Sequence, residues 1–507
     1  MKIRFQIVDF IACNVRTKIS PGQKLDARGW ILDSGLFSVS SIQHPALPYL
    51  ATLYSMDSRQ NSLQLKITNK QIIKLTLPVS IAILVPQLNF ITNNIFLGHY
   101  SSTVLAVASI AGVYYLIFGS IGFAMNNGLL ALISRRAGEN KTEEIGKIFN
   151  QGIFNAMLVA AIAITLSYTI TPTLLRAILH EPEKAEMAIS FLQIRIWGLP
   201  FLYIYQMRNA LLVGTNQSRY MVMGTIAEAV ANVVFDYTLI FGKWGLPELG
   251  FNGAAYASII AEFVGMFVIY IVIHQKGIAQ RFALFKNLRW DKQNASLITA
   301  MSAPLVFQHA ISIMSWEFFF ILIERNQSSD TPQAISNVMR NVFGMFGCMS
   351  WAFASTSNSM VSNIIGQGKK DQVIFVINKI VRLSTSIAIV LCILLNLFPQ
   401  LFLSIYGQGD EFIRAGIPVI RVVSLAMILM SFSVVWLHAV TGTGNTKVTF
   451  LIEAVTITLY CIYIYVVLEK LKLSLAIGWM SEWLYWVCMF VPAFFYLRSD
   501  HWKKKVI

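Results

Sequence analysis

From about residue 72 onward the chain is a succession of apolar runs separated by short polar segments. A membrane-spanning α-helix needs about 20 mainly apolar residues. Runs of that length predict helices over 73–97, 103–134, 149–172, 187–212, 220–242 and 253–274. A charged break, HQKGIAQRFALFKNLRWDKQN, follows, and six more runs cover 295–323, 333–364, 375–402, 412–440, 447–468 and 474–496. The pattern predicts an all-α integral membrane protein with twelve transmembrane helices and both termini on one side. Residues before 70 do not share it. MKIRFQIVDFIACNVRTK is interrupted by Asp9, has no small-residue cleavage site after it, and does not read as a signal peptide. The chain accordingly divides into an extension at 1–70, a first lobe at 71–275, a basic linker at 276–294, a second lobe at 295–497 and a basic tail at 498–507. The extension reads as disordered, or its first 55 residues as an artefact of start-site choice.

Composition agrees with the pattern. Of 507 residues 56% are hydrophobic and 13% charged, against about 25% charged in soluble domains. A net charge of +15 raises the question of nucleic acid. The basic residues, however, lie in short segments between apolar runs, which marks the cytoplasmic side of a membrane protein and not a phosphate-binding face. One set of loops carries Arg135, Arg136, Lys141, Lys147, Arg219, the basic linker, Lys369, Lys370, Lys447 and the tail lysines 503–505. The opposite set has only Arg176, Lys184, Lys243, Arg325, Lys470 and Lys472. Both termini are therefore expected in the cytoplasm of a plasma membrane, a bacterial inner membrane. The five cysteines show no CxxC spacing and the seven histidines no HExxH. Neither a metal centre nor a cofactor is expected, and no enzyme.

The polar segments repeat. In SRRAGENKTEE and SNIIGQGKKDQ, Ser134, Gly138 and Lys141 match Ser362, Gly366 and Lys369 at an offset of 228. VGTNQSR and TGTGNTK align at the same offset, Gly214 with Gly442 and Thr215 with Thr443, and LQIRIWGL aligns with PVIRVVSL at 226. A duplicated six-helix unit follows. Six is even, so the two lobes share an orientation and enclose a cleft about an axis along the membrane normal.

Within the apolar runs, polar positions are scarce enough to single out. Glu228, Asn232 and Asp236 recur every fourth residue in TIAEAVANVVFDYTLIFG, so a helix puts them on one face, each stepped by about 40°. Carboxylates in a membrane helix cost roughly 2.5 to 3.5 kcal/mol each on insertion scales, which points them at a water-filled cavity or a cation. The plain alternative puts Glu228 in the headgroup region and Asp236 as a mere end cap. Asn93 and Asn94 in the first run, Glu262 in the sixth and Glu317 in the seventh are further candidates, with Arg208 and Arg340 as basic positions in mid-span. Glu453 reads as structural; Glu262 and Glu482 sit in similar contexts late in each lobe. Arg195 and Arg421 occupy equivalent repeat positions and read as paired or snorkelling. Pro86, in mid-span, is a hinge candidate. The aromatic runs around Phe318, Phe319 and Phe320 and at Trp479, Trp483 and Trp486 are expected mostly at lipid or interface.

Several of these pieces together resemble the multidrug and toxic compound extrusion (MATE) transporters. They are NNIFLG followed by VLAVASIAG, the loops SRRAG and SNIIGQG, GTNQS and GTGNT, and NVVFDYTLIFG followed by GLPELGFNGAAYAS. The resemblance runs from about Pro78 to Leu497. It implies two six-helix bundles around a V-shaped cleft, and export of organic cations or other amphipathic molecules driven by inward proton or sodium flow. Asn232 and Asp236 match residues the family uses for cation coupling, with transient sodium there as one option, and Glu317 falls where one branch has a functional acid. Two departures stand out. Asn93 takes the place of an aspartate common in bacterial members, and SLAMILMSFSVVW in the tenth run lacks an acid found in one branch. The implied partners are small cationic or amphipathic substrates and membrane lipid, with the protein a monomer. The rival within the same superfamily is a lipid-linked saccharide flippase, which Arg208 and Arg340 would serve by meeting pyrophosphate.

Overall fold

Inside lipid a helix satisfies every backbone N–H and C=O within itself, and long helices form where the apolar runs predict them. The computed structural model describes residues 63–179, 181–286, 289–326 and 331–505, which lie in one compact unit from Ser62 to Ile507. The extension up to residue 62 lies outside the described residues. The first lobe consists of α1 (Asn69–Tyr100), α2 (Ser102–Gly138), α3 (Thr142–Ile178), α4 (Pro182–Gly214, with a 3₁₀ turn at Ile196–Gly198), α5 (Met221–Phe241) and α6 (Gly250–Gln275). The second consists of α7 (Lys292–Asn326), α8 (Thr331–Gly366), α9 (Val373–Leu397), α10 (Gly409–Thr443), α11 (Thr446–Lys470, ending in a π turn from Tyr465) and α12 (Leu475–Arg498).

By length and composition eleven helices are apolar enough to cross a membrane, and α8 is the one of these long helices that falls short. The reason is its environment. Ser355, Thr356, Ser357, Asn358, Ser359, Ser362 and Asn363 are buried on α8, and several bond the other lobe: Asn358 Nδ2 donates to Asn127 O at 2.9 Å, and Ser362 Oγ to Ala131 O at 2.6 Å. Polar groups in α8 face protein, where partners exist, instead of lipid, where none would.

Each lobe has its own apolar core, and the first helix of each lobe crosses into the other. Ile72 and Leu75 of α1 pack in the second-lobe core with Ile377, Ile380 and Val440, while Val79 and Leu97 return to first-lobe clusters. Ile298 and Met301 of α7 pack with Leu129 and Phe149 of the first lobe, while Phe319 and Ile323 of the same helix join the second. The crossings are sealed by polar pairs. Thr76 and Thr356 hydroxyls lie 2.9 Å apart between α1 and α8, and Asn155 Nδ2 of α3 donates to Ala295 O of α7 at 3.0 Å.

The repeat segments read from the sequence meet at one end of this interface. Gly138 lies against the Asn363 carbonyl, and Gly366 against the Arg135 carbonyl and 3.1 Å from Gly138 Cα for an added Cβ; Arg135 and Asn363 are themselves repeat equivalents. Ser134 and Ser359 hydroxyls are 3.0 Å apart. Residues just before α1 strap the joint. Gln64 Nε2 donates to Gly138 O at 3.1 Å, Leu65 N to Asn363 Oδ1 at 2.9 Å, and Asn363 Nδ2 to Leu63 O at 3.0 Å.

Two expectations need correction. The predicted helix 375–402 ends at Leu397, because the residue before a proline disfavours helical backbone; Phe398 breaks it and Pro399–Ser404 forms a separate turn. Three of the six aromatic positions expected at lipid or interface lie in the core instead. Phe319, Trp479 and Trp486 are buried, with Phe319 and Trp479 edge to face at 5.1 Å. Phe319 and Trp479, with Phe343, fill the volume between α7, α8 and α12, where burial of large side chains contributes most.

Candidate functional site

The four-residue spacing on α5 resolves into two distinct environments. Asp236 is 0% exposed and lies more than one turn before the helix end at Phe241. Its neighbour is Asn93 of α1: with the amide turned to satisfy both groups, Asn93 Nδ2 donates to Asp236 Oδ1 at 3.0 Å and also to Oδ2. Among the described residues no lysine, arginine or histidine forms an ion pair with Asp236. Asn232, one turn earlier, is also buried. Asn94, next to Asn93, is half-buried.

Glu228 is half-buried and belongs to a second group. Gly265 of α6 makes room for it, since a Cβ there would stand 3.2 Å from Glu228 Oε2. One turn away on α6, Glu262 is clamped by Arg195 of α4, with Nη2 to Oε1 at 2.5 Å and Nη1 to Oε2 at 3.0 Å. Tyr115 of α2 donates to Glu262 Oε1 at 3.4 Å, and the guanidinium carbon lies 3.9 Å from the Tyr115 ring centroid. Gly198 permits this packing, because a side chain would collide with both partners of the ion pair. Glu262 is thus tied to Arg195, the pairing read for that arginine; its repeat equivalent Arg421 is exposed.

The basic candidates face elsewhere. Arg208 is buried and donates through Nη1 to the Met266 carbonyl of α6, with its guanidinium 5.6 Å from the Tyr270 ring. Arg340 is exposed and lies 5.3 Å from the Phe320 ring. In the second lobe Glu317 is half-buried, and among the described residues no hydrogen bond or ion pair holds it. Glu453, by contrast, accepts from Tyr485 Oη at 2.8 Å and from Gln308 Nε2. Glu482 is buried with Oε2 unbonded. His309 lies tilted against the Phe123 ring at 5.5 Å, and His438 lies edge to face with Trp351 at 6.0 Å.

One residue of consequence was not singled out by sequence reasoning. Arg135, counted there among loop charges, is 5% exposed. It reaches across the lobes, donating from Nε to Ser362 O at 3.1 Å and from Nη2 to Gly442 O and Thr443 O at 3.3 Å each. The available signal was its place inside a repeat motif whose acceptors, Ser362, Gly442 and Thr443, also lie in repeat motifs.

A family profile described as MatE matches residues 78–238 and 304–466, one stretch in each lobe. A probable multidrug resistance protein NorM of Thermotoga maritima is 22% identical over 449 residues, covering 86% of this chain and 94% of that protein. A crystal structure of MATE in complex with MaL6 superposes with a TM-score of 0.79 at 14% identity, over 86% of this chain and 97% of the other. An outward-facing conformation of a multidrug resistance MATE family transporter of the MOP superfamily gives 0.78 at 15% identity, with the same coverage. At such identity the structural likeness speaks for the fold.

Proposed function

The chain belongs to the MatE family of transporters, and from that premise we propose that it is a secondary active antiporter exporting organic cations or other amphipathic molecules. Asp236 is the coupling residue in this reading, with Asn93 and Asn232 as its polar setting. The observation that carries it is a carboxyl group sealed in the first lobe with a neutral amide for its partner. Such a group has to hold a proton or a cation to be neutral in lipid surroundings, and exchanging that ion for a substrate charge drives alternating access. Asn93 cannot carry the proton itself, so it acts as a donor that orients Asp236. Glu317, half-buried and unbonded, is a second position where the cleft meets an acid. The multidrug description of the Thermotoga maritima relative supports a broad substrate range.

In this reading the end where Gly138 meets Gly366 is the cytoplasmic gate, since the basic loops gather there, and the protein sits in the plasma membrane with the cleft turned outward. The flippase alternative is less well supported, because Arg208 is bound to the backbone of α6 and leaves Arg340 as its main basic position. The test is efflux of a fluorescent organic cation from everted vesicles under a proton or a sodium gradient, comparing wild type with Asp236→Asn. Export under one gradient, lost in the well-folded variant, is the expected outcome. Wild-type vesicles that move no cation under either gradient would overturn it.

A further inference from the structure

Around Arg195 the first lobe gathers more negative charge than that one guanidinium can match, and the lobe's other buried guanidinium on α4, Arg208, is turned to the Met266 carbonyl. Within the bundle of α2, α4, α5 and α6, both oxygens of Glu262 are taken by Arg195, whose fork suits one carboxylate at a time. The guanidinium is held further by the Tyr115 ring beneath it. Glu228 approaches the same pair from α5 through the gap left by Gly265, within electrostatic reach of both Arg195 and Glu262. Among the described residues the remaining titratable groups facing it are phenols: Tyr205 on α4, and Tyr115 on α2 by way of Glu262. With all three ionised, the cluster carries two negative charges and one positive. A low-dielectric lobe does not tolerate the surplus.

We propose that Glu228, held against Gly265 one helical turn from the Arg195–Glu262 ion pair, is a second proton-binding site of the first lobe, separate from Asp236 and Asn93. A proton taken from water through its half-exposed side converts the Glu228 carboxylate to the acid, and the cluster goes from one net negative charge to none. On release the proton returns to water, and the cluster regains its net negative charge. The site takes a proton and not a metal cation, because a metal ion at Glu228 would stand beside the fixed guanidinium. Gly198 makes room for the Arg195–Glu262 pair, and Gly265, one turn from Glu262, makes room for Glu228. If the chain is the exporter argued above, on which this consequence rests, the lobe loads two protons per cycle.

The existence of the site is tested without any substrate. Infrared difference spectra of the purified full-length protein in lipid nanodiscs, stepped from about pH 5 to about pH 10, read the carboxylic-acid C=O signal that disappears as acids ionise. Glu228→Gln is expected to lose one group's share of that signal and Asp236→Asn a different share, with the double variant losing both. Glu228→Asp keeps the first share. Glu262→Gln frees Arg195 to pair with Glu228 and is expected to remove the same share with Glu228 intact, which serves if Glu228→Gln does not fold. A Glu228→Gln or Glu262→Gln spectrum equal to wild type overturns the proposal, as does loss of the Glu228 share when sodium replaces N-methylglucamine. A missing Asp236 share with the Glu228 share present would instead sink Asp236 as the coupling acid and leave this site standing.

Discussion

Arg195 shows how much a single side chain in this protein depends on its partner. It forms a two-pronged ion pair with Glu262, the two side chains only 12% and 7% exposed. Removing one member of a buried pair leaves the other uncompensated, which costs about 3–5 kcal/mol, whereas apolar replacement of both is often neutral. Arg195→Ala is therefore expected to lower thermal stability in detergent sharply. Arg195→Met combined with Glu262→Leu should restore most of it, a non-additive pair readable from unfolding midpoints. At this scale the sequence located the acids of α5 and α6 through their rarity in apolar surroundings. It could not say that Glu262 is occupied by Arg195 and Asp236 by Asn93, because both pairings join helices distant in the chain.

At the scale of elements, helix existence follows from apolar run length, and helix ends follow from capping. Asp291 starts α7: its Oδ1 accepts from the backbone N–H groups of Gln293 at 3.0 Å and Asn294 at 3.2 Å. The Asn294 backbone bond, outside the membrane span, holds this carboxyl below its ordinary value. A depressed group contributes stability above its unfolded value of about 3.9 and loses it as pH falls through the lower folded value. Asp291→Ala should consequently cost about 1 kcal/mol near neutral pH. The difference from wild type should vanish in acid below that folded value, as followed by thermal unfolding across a pH series. Proline inside a helix is handled with equal economy. Pro78 leaves the Lys74 carbonyl without its helical donor, and the Ser218 hydroxyl supplies one at 3.3 Å.

At the scale of the molecule, two lobes are joined at one end by their own repeat motifs. Arg135 makes three bonds to backbone carbonyls there, and Gly138 and Gly366 let α2 and α8 touch where a Cβ would strike a carbonyl oxygen. Gly138→Ala is expected to push the ends of α2 and α8 apart and bias the molecule toward opening at this end. The readout is the labelling rate of a Ser359→Cys reporter, at a position 0% exposed, by a membrane-impermeant maleimide. A tenfold faster reaction corresponds to a shift of about 1.4 kcal/mol; an unchanged rate would mean that these glycines do not hold the joint shut.

By itself the sequence determined that the chain is a bundle of membrane helices, that it is duplicated, and which few polar residues lie inside it. Apolar length, the repeat offset of 228 and the four-residue spacing of Glu228, Asn232 and Asp236 are local or periodic properties, and water and lipid act on them residue by residue. Only the tertiary structure decided that α1 and α7 exchange lobes, that α8 is polar because it is shielded, and that Arg135 binds Ser362, Gly442 and Thr443 across the joint. It also separated the acids of one helix face into a sealed Asp236 beside Asn93 and a half-buried Glu228 against Gly265. These outcomes depend on which helix packs against which. That choice is settled by close packing and by the matching of buried donors with acceptors, neither of which is written in the periodicity of any single run.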